Sequence, residues 1–228
     1  MIIGINGKIG SGKDTVGKII QWLTKPESDG QYIGFQTYDD YTLEKLSPFK
    51  IKKFAGKLKQ IGSILSGIDA GMFEDQDFKK LDMAPEWGMT YREFLQKLGT
   101  EAMRDGLHTN VWVNALFADY TPTHYAIGAF DTKLTDGIPF YPNWIITDMR
   151  FPNEMEAVKE RKGITIRVVR PHGYTNPHTG EYKEMPLSYH SSETALDESE
   201  FDYEILNDGT IEDLIDKVRE ILIKENII

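Results

Sequence analysis

The chain has 228 residues with 40% hydrophobic and 27% charged side chains, proportions that are typical of a globular protein. Its 26 basic and 36 acidic residues give a net charge of −10, which argues against a protein that coats nucleic-acid phosphates, so we expect no direct nucleic-acid binding. It contains no cysteine and no stretch approaching the ~20 apolar residues of a membrane helix, which excludes a disulfide framework and predicts a cytoplasmic protein without a membrane partner.

The N-terminal part of the chain has the pattern of a strand, a turn and a helix. Residues 2–5 form a short apolar run that ends before a glycine turn, and residues 15–23 place apolar side chains at helical spacing. Residues 25–48 are polar and aromatic without a clean period, so a hairpin and a loop-rich insertion both stay open there. A short strand at 51–55 and a helix at 58–65 are predicted next.

The middle of the chain is predicted to be helical. Thr90 and Glu93 have the spacing of a capping box, which predicts a helix from there to about residue 104. A second helix is predicted at 110–120, while the charged run at 74–80 has the composition of solvated surface.

The C-terminal part alternates strands with helices. The predicted strands lie at 144–148, 164–169 and 203–206, and the predicted helices at 152–163 and 210–222. Together with the N-terminal strand and helix, this alternation predicts a three-layer α/β/α fold with a mainly parallel, roughly five-stranded sheet. The segment 172–196 is rich in polar residues, glycine and proline, and is interpreted as a lid.

The turn after the first strand carries a phosphate-binding motif. Residues 7–13 fit the pattern G-x-x-x-x-G-K between a strand and a helix, where such a loop wraps backbone N–H groups around a phosphate. The lysine that ends the motif bridges the β- and γ-phosphates as charge moves during phosphoryl transfer. The predicted nucleotide-binding residues are Gly10, Ser11, Gly12, Lys13, Asp14 and Thr15, of which Lys13 is also predicted to be catalytic.

Asp14 stands where these loops usually have a serine or threonine that contacts magnesium. Two interpretations stay open: the carboxylate stabilises the helix N-terminus without a metal, or it holds Mg²⁺ directly or through water. Asp148 ends a predicted central strand, in the position of an acid that either holds the water shell of magnesium or orients Arg150. It is the second candidate metal ligand and a candidate catalytic residue.

Four motifs occur in order along the chain: S-G-K-D-T at 11–15, L-Q-K-L-G-T-E at 95–101 followed by Trp112, D-M-R-F-P-N-E at 148–154, and N-D-G-T at 207–210. Together they resemble the bacteriophage deoxynucleoside monophosphate kinases, a family of P-loop nucleoside monophosphate kinase-like proteins. The resemblance implies transfer of the γ-phosphoryl group of ATP to a deoxynucleoside 5′-monophosphate, with ATP and Mg²⁺ as cofactors and small-molecule nucleotides as partners. A phage origin would place the protein in the host cytoplasm, and a homodimer stays open.

The resemblance further implies a single kinase domain with three parts. The core comprises about 1–24, 143–171 and 197–228, the acceptor-binding helical part about 50–120, and the lid about 172–196. We expect the lid to close over ATP and exclude water, so that the acceptor phosphate takes the phosphoryl group.

Arg150 is the strongest candidate for contact with the transferred phosphoryl group. It follows a predicted central strand, at the edge where open parallel sheets bind ligands, and a guanidinium grips two phosphate oxygens at once. The alternative is a structural ion pair with Asp148 or Glu154. Asn153 and Glu154 are candidate substrate ligands, or simply caps of the next helix.

Candidate ligands of the acceptor nucleotide lie on the predicted helix at 90–104. Gln96 and Thr100 are four residues apart, so both can face an acceptor base or ribose. Arg92 and Arg104 continue roughly the same face and are candidates for the acceptor phosphate, the alternative being solvated surface arginines.

Four further residues complete the predicted site. Lys57 is a candidate phosphate contact in the acceptor part or a surface residue, and Trp112 either stacks on a base or packs in the core. Arg170 and Asn207 are candidate nucleotide-binding residues. The turn that begins at Asn207 lies where a backbone cradles the adenine of ATP, and the alternative is an ordinary turn.

Two other functions stay open beside the deoxynucleotide kinase. One is another small-molecule P-loop kinase resembling dephospho-coenzyme A kinase, and the other is a nucleic-acid-dependent P-loop ATPase. The motif at 95–101 favours the deoxynucleotide kinase, while the acidic chain has no basic groove with interleaved aromatic residues, which disfavours the ATPase.

Overall fold

A computed structural model describes residues 1–26, 34–124, 139–171, 174–175, 182–183 and 194–228. The chain divides into two compact units, one formed by Met1–Lys52 with Thr121–Ile228 and the other by Lys53–Tyr120. Most of the predicted lid at 172–196 lies outside the described residues.

The strands are β1 (Ile2–Asn6), β2 (Phe49–Lys52), β3 (Thr123–His124), β4 (Pro139–Phe140), β5 (Asn143–Ile146), β6 (Ile164–Val169), β7 (Tyr174–Thr175), β8 (Tyr182–Lys183) and β9 (Tyr203–Leu206). The α-helices are α1 (Lys13–Thr24), α2 (Asp40–Leu46), α3 (Ala55–Ser66), α4 (Tyr91–Gln96), α5 (Val111–Phe117), α6 (Pro152–Glu160) and α7 (Ile211–Lys224). Short 3₁₀-helices lie at Phe35–Thr37, Ala70–Glu74 and Phe78–Lys80, and a π-helix at Lys97–Asp105.

Five parallel strands form the central sheet of the first unit, in the order β2-β5-β1-β6-β9. Ile3 of β1 lies opposite Ile145 of β5 and Ile164 of β6, so β1 has a neighbour on each side. Two short antiparallel ladders, β3 with β4 and β7 with β8, stand apart from this sheet. The sheet and its flanking helices confirm the α/β fold class predicted from the sequence.

Helices cover both faces of this sheet. On one face, Ile5 packs in a core with Val16 of α1 and Val218 of α7, all three fully buried. Adjacent residues of a strand point to opposite faces, so Gly4 points to the other one. A Cβ on Gly4 would lie 3.2 Å from Val158 of α6, so the missing side chain lets that helix approach the sheet. The burial of these apolar faces is the main stabilising contribution to the unit.

Capping boxes fix where two of the helices begin. At the start of α4, Thr90 N–H donates to Glu93 Oε2 at 2.8 Å, and Glu93 N–H donates to Thr90 Oγ1 at 3.2 Å, which confirms the prediction. At the start of α7, Thr210 and Asp213 form the same reciprocal pair at 2.8 and 3.2 Å. These bonds satisfy N–H groups that a helix terminus otherwise leaves without a partner.

The second unit is helical, with a core built around Phe73, Met83, Phe94 and Leu95. The single helix predicted from Thr90 to about residue 104 is wrong in its period, because α4 ends at Gln96 and a π-helix continues to Asp105. A π-helix bonds residue i to residue i+5, and the spacing of apolar residues alone does not reveal that change.

For residues 25–48 the sequence is compatible with a hairpin and with a loop-rich insertion. The described part of this segment holds a 3₁₀-helix and α2. Gln21 of α1 is 2% exposed and donates to the carbonyl oxygen of Phe49 at 3.0 Å, which ties α1 to the start of β2. β2 ends at Lys52, three residues before the predicted end, because α3 already begins at Ala55. Among the residues that the structure describes, no helix combines the length and the apolar content needed to cross a lipid bilayer.

Candidate active site

The loop between β1 and α1 is stabilised by its glycines and by its own backbone. Gly10 and Gly12 have φ angles of 79° and 95°, in the left-handed region that favours glycine. The Ser11 N–H donates to the Lys8 carbonyl oxygen at 3.1 Å, which closes the loop. α1 begins at Lys13, so the positive end of a 12-residue helix follows the loop directly.

The loop leaves the carboxyl end of the central strand of the sheet. The turn at 147–150 follows β5, Arg170 follows β6 and Asn207 follows β9, so all of them lie at the same edge. β1 is flanked by β5 on one side and β6 on the other, and the connections of an open parallel sheet diverge at such a strand. Ligands bind at this position because the diverging connections leave a crevice there.

Two glycines of the loop leave no room for a side chain. A Cβ on Gly7 would lie 2.3 Å from Ser11 Oγ and 2.8 Å from the Val168 carbonyl oxygen. A Cβ on Gly12 would lie 2.5 Å from Asn207 Nδ2. Ser11 is 1% exposed, and its hydroxyl has no hydrogen-bond partner among the described residues. A cradle of bare backbone with a buried, unpaired hydroxyl suits a polar ligand such as a phosphate chain.

Asn207 and Arg170 bind this loop from two neighbouring strands. Asn207 Nδ2 donates to the Ser11 carbonyl oxygen at 2.8 Å, and the residue is 5% exposed. Arg170 donates from Nη1 to the Gly10 carbonyl oxygen at 3.2 Å and from Nε to the Asn207 carbonyl oxygen at 3.4 Å. The structure thus places both of these candidate nucleotide-binding residues directly against the loop.

The first turn of α1 carries the remaining candidates of the motif. Lys13 is half-buried, with its Nζ 3.5 Å from the Lys8 carbonyl oxygen, and Thr15 is half-buried beside it. The Val16 N–H donates to the Gly12 carbonyl oxygen at 2.9 Å, which is the first hydrogen bond of the helix. Lys13, Asp14 and Thr15 therefore follow the loop on a rigid element.

Asp14 accepts a hydrogen bond from the hydroxyl of Thr147, with 2.9 Å between Oγ1 and Oδ1. Thr147 is fully buried directly after β5 and next in sequence to Asp148, whereas Asp14 is exposed. The pair therefore links the start of α1 to the end of β5. Over the described ranges, His, Asp and Glu side chains do not gather in threes as a metal site.

The turn after β5 is fastened to the end of β1. Asn6 Nδ2 donates to the Met149 carbonyl oxygen at 2.9 Å, and the Met149 N–H donates to the Ile5 carbonyl oxygen at 3.2 Å. Asp148 and Arg150 flank the buried Met149, and both are half-buried. The sequence analysis does not predict a role for Asn6. The signal for its contact with the turn after β5 is a polar residue that ends an apolar strand just before a glycine.

Glu154 shapes the segment that leads from Arg150 into α6. It is 3% exposed, and its Oε2 accepts hydrogen bonds from the N–H groups of Arg150 at 2.7 Å and Phe151 at 3.1 Å. The interpretation of Glu154 as a helix cap accounts for these contacts. Asn153 is half-buried in the first turn of the same helix.

Two candidate cations of the second unit, Lys57 and Arg92, each contact another polar side chain. Lys57 Nζ lies 2.9 Å from Asp119 Oδ2, and Arg92 Nη2 donates to Gln76 Oε1 at 3.1 Å. Both cations are partly exposed, where such pairs contribute little to stability. Release of either contact therefore costs little folding free energy.

Gln96 and Arg104 differ in their exposure. Gln96 ends α4 and is exposed, Thr100 is half-buried in the π-helix, and Arg104 is 8% exposed. Arg104 does not share the exposed face of Gln96, because it is buried, and the hydrogen-bond spacing of the helix changes between the two residues. An open groove of about 440 Å³ borders this helix and is lined by Met89, Phe94, Lys97, Leu98, Glu101 and Ala102.

Trp112 packs inside the second unit. It is 5% exposed, and its indole N–H donates to the Gly99 carbonyl oxygen at 2.9 Å. Both the ring and its polar atom are thus used within the unit, as the core interpretation predicts. A Cβ on Gly99 would lie 2.8 Å from Leu58, so this π-helical residue also packs closely against α3.

Glu74 is exposed, as the sequence predicts, and it also contacts two lysines of the second unit. Its Oε2 lies 3.3 Å from Lys53 Nζ, and its Oε1 contacts Lys59. Burial raises the pKa of Glu74, but the two ammonium groups outweigh burial and hold its pKa below the usual range. The lysines near the start of α3 therefore have a carboxylate as their counter-ion.

A comparison with protein families matches residues 65–218 of the chain to the family described as deoxynucleotide monophosphate kinase. The match covers more than half of the chain and includes the motifs at 95–101, 148–154 and 207–210. The glycine loop lies before the matched range, so its geometry and the family match are independent observations.

Three viral proteins are similar to the chain. A putative deoxynucleotide monophosphate kinase of Acanthamoeba polyphaga mimivirus is 27% identical over 198 residues, which cover 83% of this chain and 90% of that protein. The deoxynucleotide monophosphate kinase of Enterobacteria phage T4 is 27% identical over 213 residues, covering 88% and 76%. The uncharacterized protein ORF77 of Ictalurid herpesvirus 1 is 33% identical over 131 residues, covering 58% and 47%.

Proposed function

The chain belongs to the deoxynucleotide monophosphate kinase family, and we propose that the loop after β1 and the turn after β5 carry out its phosphoryl transfer. The enzyme transfers the γ-phosphoryl group of ATP to a deoxynucleoside 5′-monophosphate, giving the diphosphate and ADP. The observation that carries the proposal is the closed glycine loop at the end of the central strand, followed directly by the N-terminus of α1.

The loop binds the phosphate chain of ATP. Its backbone N–H groups and the positive end of α1 attract anions, and the absence of side chains at Gly7 and Gly12 lets the phosphates approach. Lys13 contacts the β- and γ-phosphates, where negative charge accumulates as the bond to the γ-phosphoryl group breaks. Thr15, in the first turn of the same helix, contacts the α-phosphate in this proposal.

Arg150 stabilises the phosphoryl group while it is transferred from ATP to the acceptor. Glu154 and Asn6 hold the turn that carries it, at 2.7 Å to the Arg150 N–H and 2.9 Å to the Met149 carbonyl oxygen. These contacts fix the backbone of Arg150 at the carboxyl edge of the sheet. A guanidinium presented from there neutralises the oxygens of the transition state, and such electrostatic stabilisation is the main way that proteins catalyse phosphoryl transfer.

Mg²⁺ fits this site as a partner of ATP. Asp14 and Asp148 would hold the ion through carboxylate oxygens, the ligands that this hard cation prefers. Bound there, the ion supplies positive charge that offsets the charge of the phosphates. Thr147 holds one oxygen of Asp14 in a fixed position, at 2.9 Å.

The acceptor nucleotide is bound by the second unit. Gln96 presents an exposed amide at the end of α4, where it can pair with the edge of a base, and Thr100 offers a hydroxyl one turn later. Arg92 and Lys57 release Gln76 and Asp119 to bind the acceptor phosphate. A cytoplasmic location and a homodimer remain predictions from the sequence.

The alternative kinase that resembles dephospho-coenzyme A kinase is not favoured. The family match and two of the relatives carry the name deoxynucleotide monophosphate kinase. Dephospho-coenzyme A therefore serves as a negative control substrate rather than as a second proposal.

The proposal is tested by release of ADP, coupled to oxidation of NADH, from ATP and Mg²⁺ with a panel of acceptors. The panel contains deoxynucleoside monophosphates, ribonucleoside monophosphates and dephospho-coenzyme A, and each acceptor is repeated after chelation of Mg²⁺ with EDTA. Turnover is expected with at least one deoxynucleoside monophosphate, and only with Mg²⁺ present. Silence across the panel, with ATP still bound, would exclude the acceptor assignment.

A variant of the loop lysine tests the residue assignment. Lys13→Met is expected to lower kcat by on the order of 10²-fold or more, because it removes charge that the transition state requires. Lys18→Met is the matched control, since Lys18 lies on the same helix with its Nζ 2.7 Å from Asp40 Oδ1. Loss of kcat in both variants, or in neither, would contradict the assignment.

A further inference from the structure

The side chain of Asn207 is buried against the glycine loop. Asn207 follows β9, and its backbone N–H donates to the Val169 carbonyl oxygen at 2.7 Å, which fixes its position relative to the end of β6. Its side-chain nitrogen donates to the Ser11 carbonyl oxygen at 2.8 Å. The amide donor of Asn207 is therefore directed at a carbonyl group of the loop and away from solvent.

The contact with Ser11 determines the orientation of a whole peptide group. The Ser11 carbonyl and the Gly12 N–H belong to one planar trans peptide, in which they point in opposite directions. Because Asn207 holds the carbonyl, it also fixes the Gly12 N–H so that this group points away from Asn207. Gly12 lies at a φ of 95°, and a Cβ there would lie 2.5 Å from Asn207 Nδ2, so the loop and the amide fit closely.

Arg170 holds the preceding peptide from the same side. Its Nη1 donates to the Gly10 carbonyl oxygen at 3.2 Å, and its Nε donates to the carbonyl oxygen of Asn207 itself at 3.4 Å. Two consecutive carbonyl groups of the loop, those of Gly10 and Ser11, are thus bound by residues that follow β6 and β9. A loop held in this way before ligand binds loses less conformational entropy on binding.

We propose that Asn207 is a positioning residue that orients the Ser11–Gly12 peptide toward the polyphosphate and does not itself contact the nucleotide. The inference rests on the proposed binding of ATP by the glycine loop. A positioning role and a contact with adenine predict different results. If Asn207 positions the loop, loss of its side chain weakens the binding of every polyphosphate, with or without a base.

The test is Asn207→Asp in the full-length protein, which keeps the shape of the side chain and removes the N–H donor. Calorimetry measures the binding of magnesium tripolyphosphate and of MgATP. The Kd of both ligands is expected to rise by the same factor, on the order of tenfold, because the loop carbonyl loses its partner. The KM for ATP is expected to rise by that factor as well, while kcat changes less than about threefold, because the reacting groups stay in place.

The matched control is Asn114→Asp, which makes the same chemical change at an exposed position of α5 in the second unit. It is expected to bind both ligands as the wild type does. Thermal unfolding and circular dichroism check the fold of each variant. Asn207→Ala, which removes the donor without introducing a charge, is measured as well, with the same expectation. It distinguishes loss of the donor from repulsion between the new carboxylate and the phosphates, and it serves alone if Asn207→Asp does not fold.

Three outcomes would overturn the inference, and they separate it from the proposed function. Loss of affinity for ATP alone would identify Asn207 as an adenine contact. Unchanged affinity for both ligands would remove its positioning role while leaving the kinase proposal intact, because the wild type still binds tripolyphosphate. A wild type that binds neither ligand would overturn the inference together with the proposed role of the loop.

Discussion

The two compact units place their candidate residues in different ways. In the first unit, residues that follow four neighbouring strands are joined to one another at the carboxyl edge of the sheet: Asn207 to Ser11, Arg170 to Gly10 and Asn6 to Met149. In the second unit, the candidates are spread along helices, and three of them have separate partners: Lys57 with Asp119, Arg92 with Gln76 and Trp112 with Gly99.

The difference follows from the geometry of the elements. Parallel strands end at one edge, so polar groups that follow them converge whatever their distance in sequence. A helix surface distributes its side chains around an axis, so each one meets whatever element packs nearby. We therefore expect substitutions at the sheet edge to weaken ATP binding or to lower kcat, and substitutions on the helices to change acceptor affinity or stability.

The largest effect is expected for Arg150→Ala. It should lower kcat by about 10³-fold or more, the range known for arginines that stabilise transferred phosphoryl groups, with a smaller change in KM. Steady-state kinetics with ATP and the best deoxynucleoside monophosphate measure it. Arg161→Ala, on the exposed end of α6, is the control and should leave kcat unchanged. Near-normal turnover of Arg150→Ala would show that Arg150 has a structural role only. It would also contradict the expected kinetic difference between the two units.

A smaller effect, on the acceptor KM rather than on kcat, is expected for Gln96→Ala. Loss of one hydrogen bond to the acceptor should raise the KM for the deoxynucleoside monophosphate by on the order of tenfold. The KM for ATP and kcat should stay within about threefold of the wild type. Gln60→Ala, at an exposed position of α3 in the same unit, is the control. An unchanged acceptor KM would exclude Gln96 from the acceptor site.

Trp112→Phe separates a core residue from a ligand contact. The variant leaves the Gly99 carbonyl oxygen without its donor, so we expect the free energy of unfolding to fall by about 1–3 kcal/mol. Urea denaturation measures this change, and the acceptor KM should move less than about threefold. Trp87→Phe, at a site that is 38% exposed, should have little effect on either. A raised KM without lost stability would instead indicate stacking of Trp112 on a base.

The smallest effect is expected at the opposite edge of the sheet, where β9 begins with Tyr203. The hydrogen bond from its hydroxyl to Glu225, followed by burial, raises the pKa of Tyr203 from 10.0 to about 12. The folded state therefore favours the neutral phenol, and the resulting stability is complete below pH 10 and is lost as the pH rises from 10 to 12. Denaturation at several pH values should show this loss in the wild type and not in Tyr203→Phe. Turnover at neutral pH should be the same in both, and a slower variant would contradict the separation of the two edges.

Much of the first unit could be predicted from its sequence. The apolar run before Asn6, the glycines of the loop and the residue types after each strand specify elements that depend on local sequence alone. The partners of Asn207 and Arg170 could not be predicted in the same way, because their contacts with the loop depend on the strand order. β6 and β9 are far from β1 in sequence, and only in the folded sheet does β6 lie beside β1 and β9 beside β6.

The second unit was less predictable for a different reason. The capping box at Thr90 and Glu93 correctly gave the start of α4, because a cap is a local signal. The burial of Arg104 and the two lysine contacts of Glu74 depend on packing between helices and on a change of helical period. The spacing of apolar residues predicts neither feature.

The π-helix makes the second unit sensitive to the number of its residues. A helix with i to i+5 hydrogen bonds holds more residues per turn than an α-helix does. Deletion of a single residue between Lys97 and Asp105 would let α4 continue with regular α-helical bonds, but it would rotate the rest of the helix and move the Gly99 carbonyl away from Trp112. Substitutions at the same positions keep the residue count and the register. In this segment, a missing codon is therefore more damaging than a changed one.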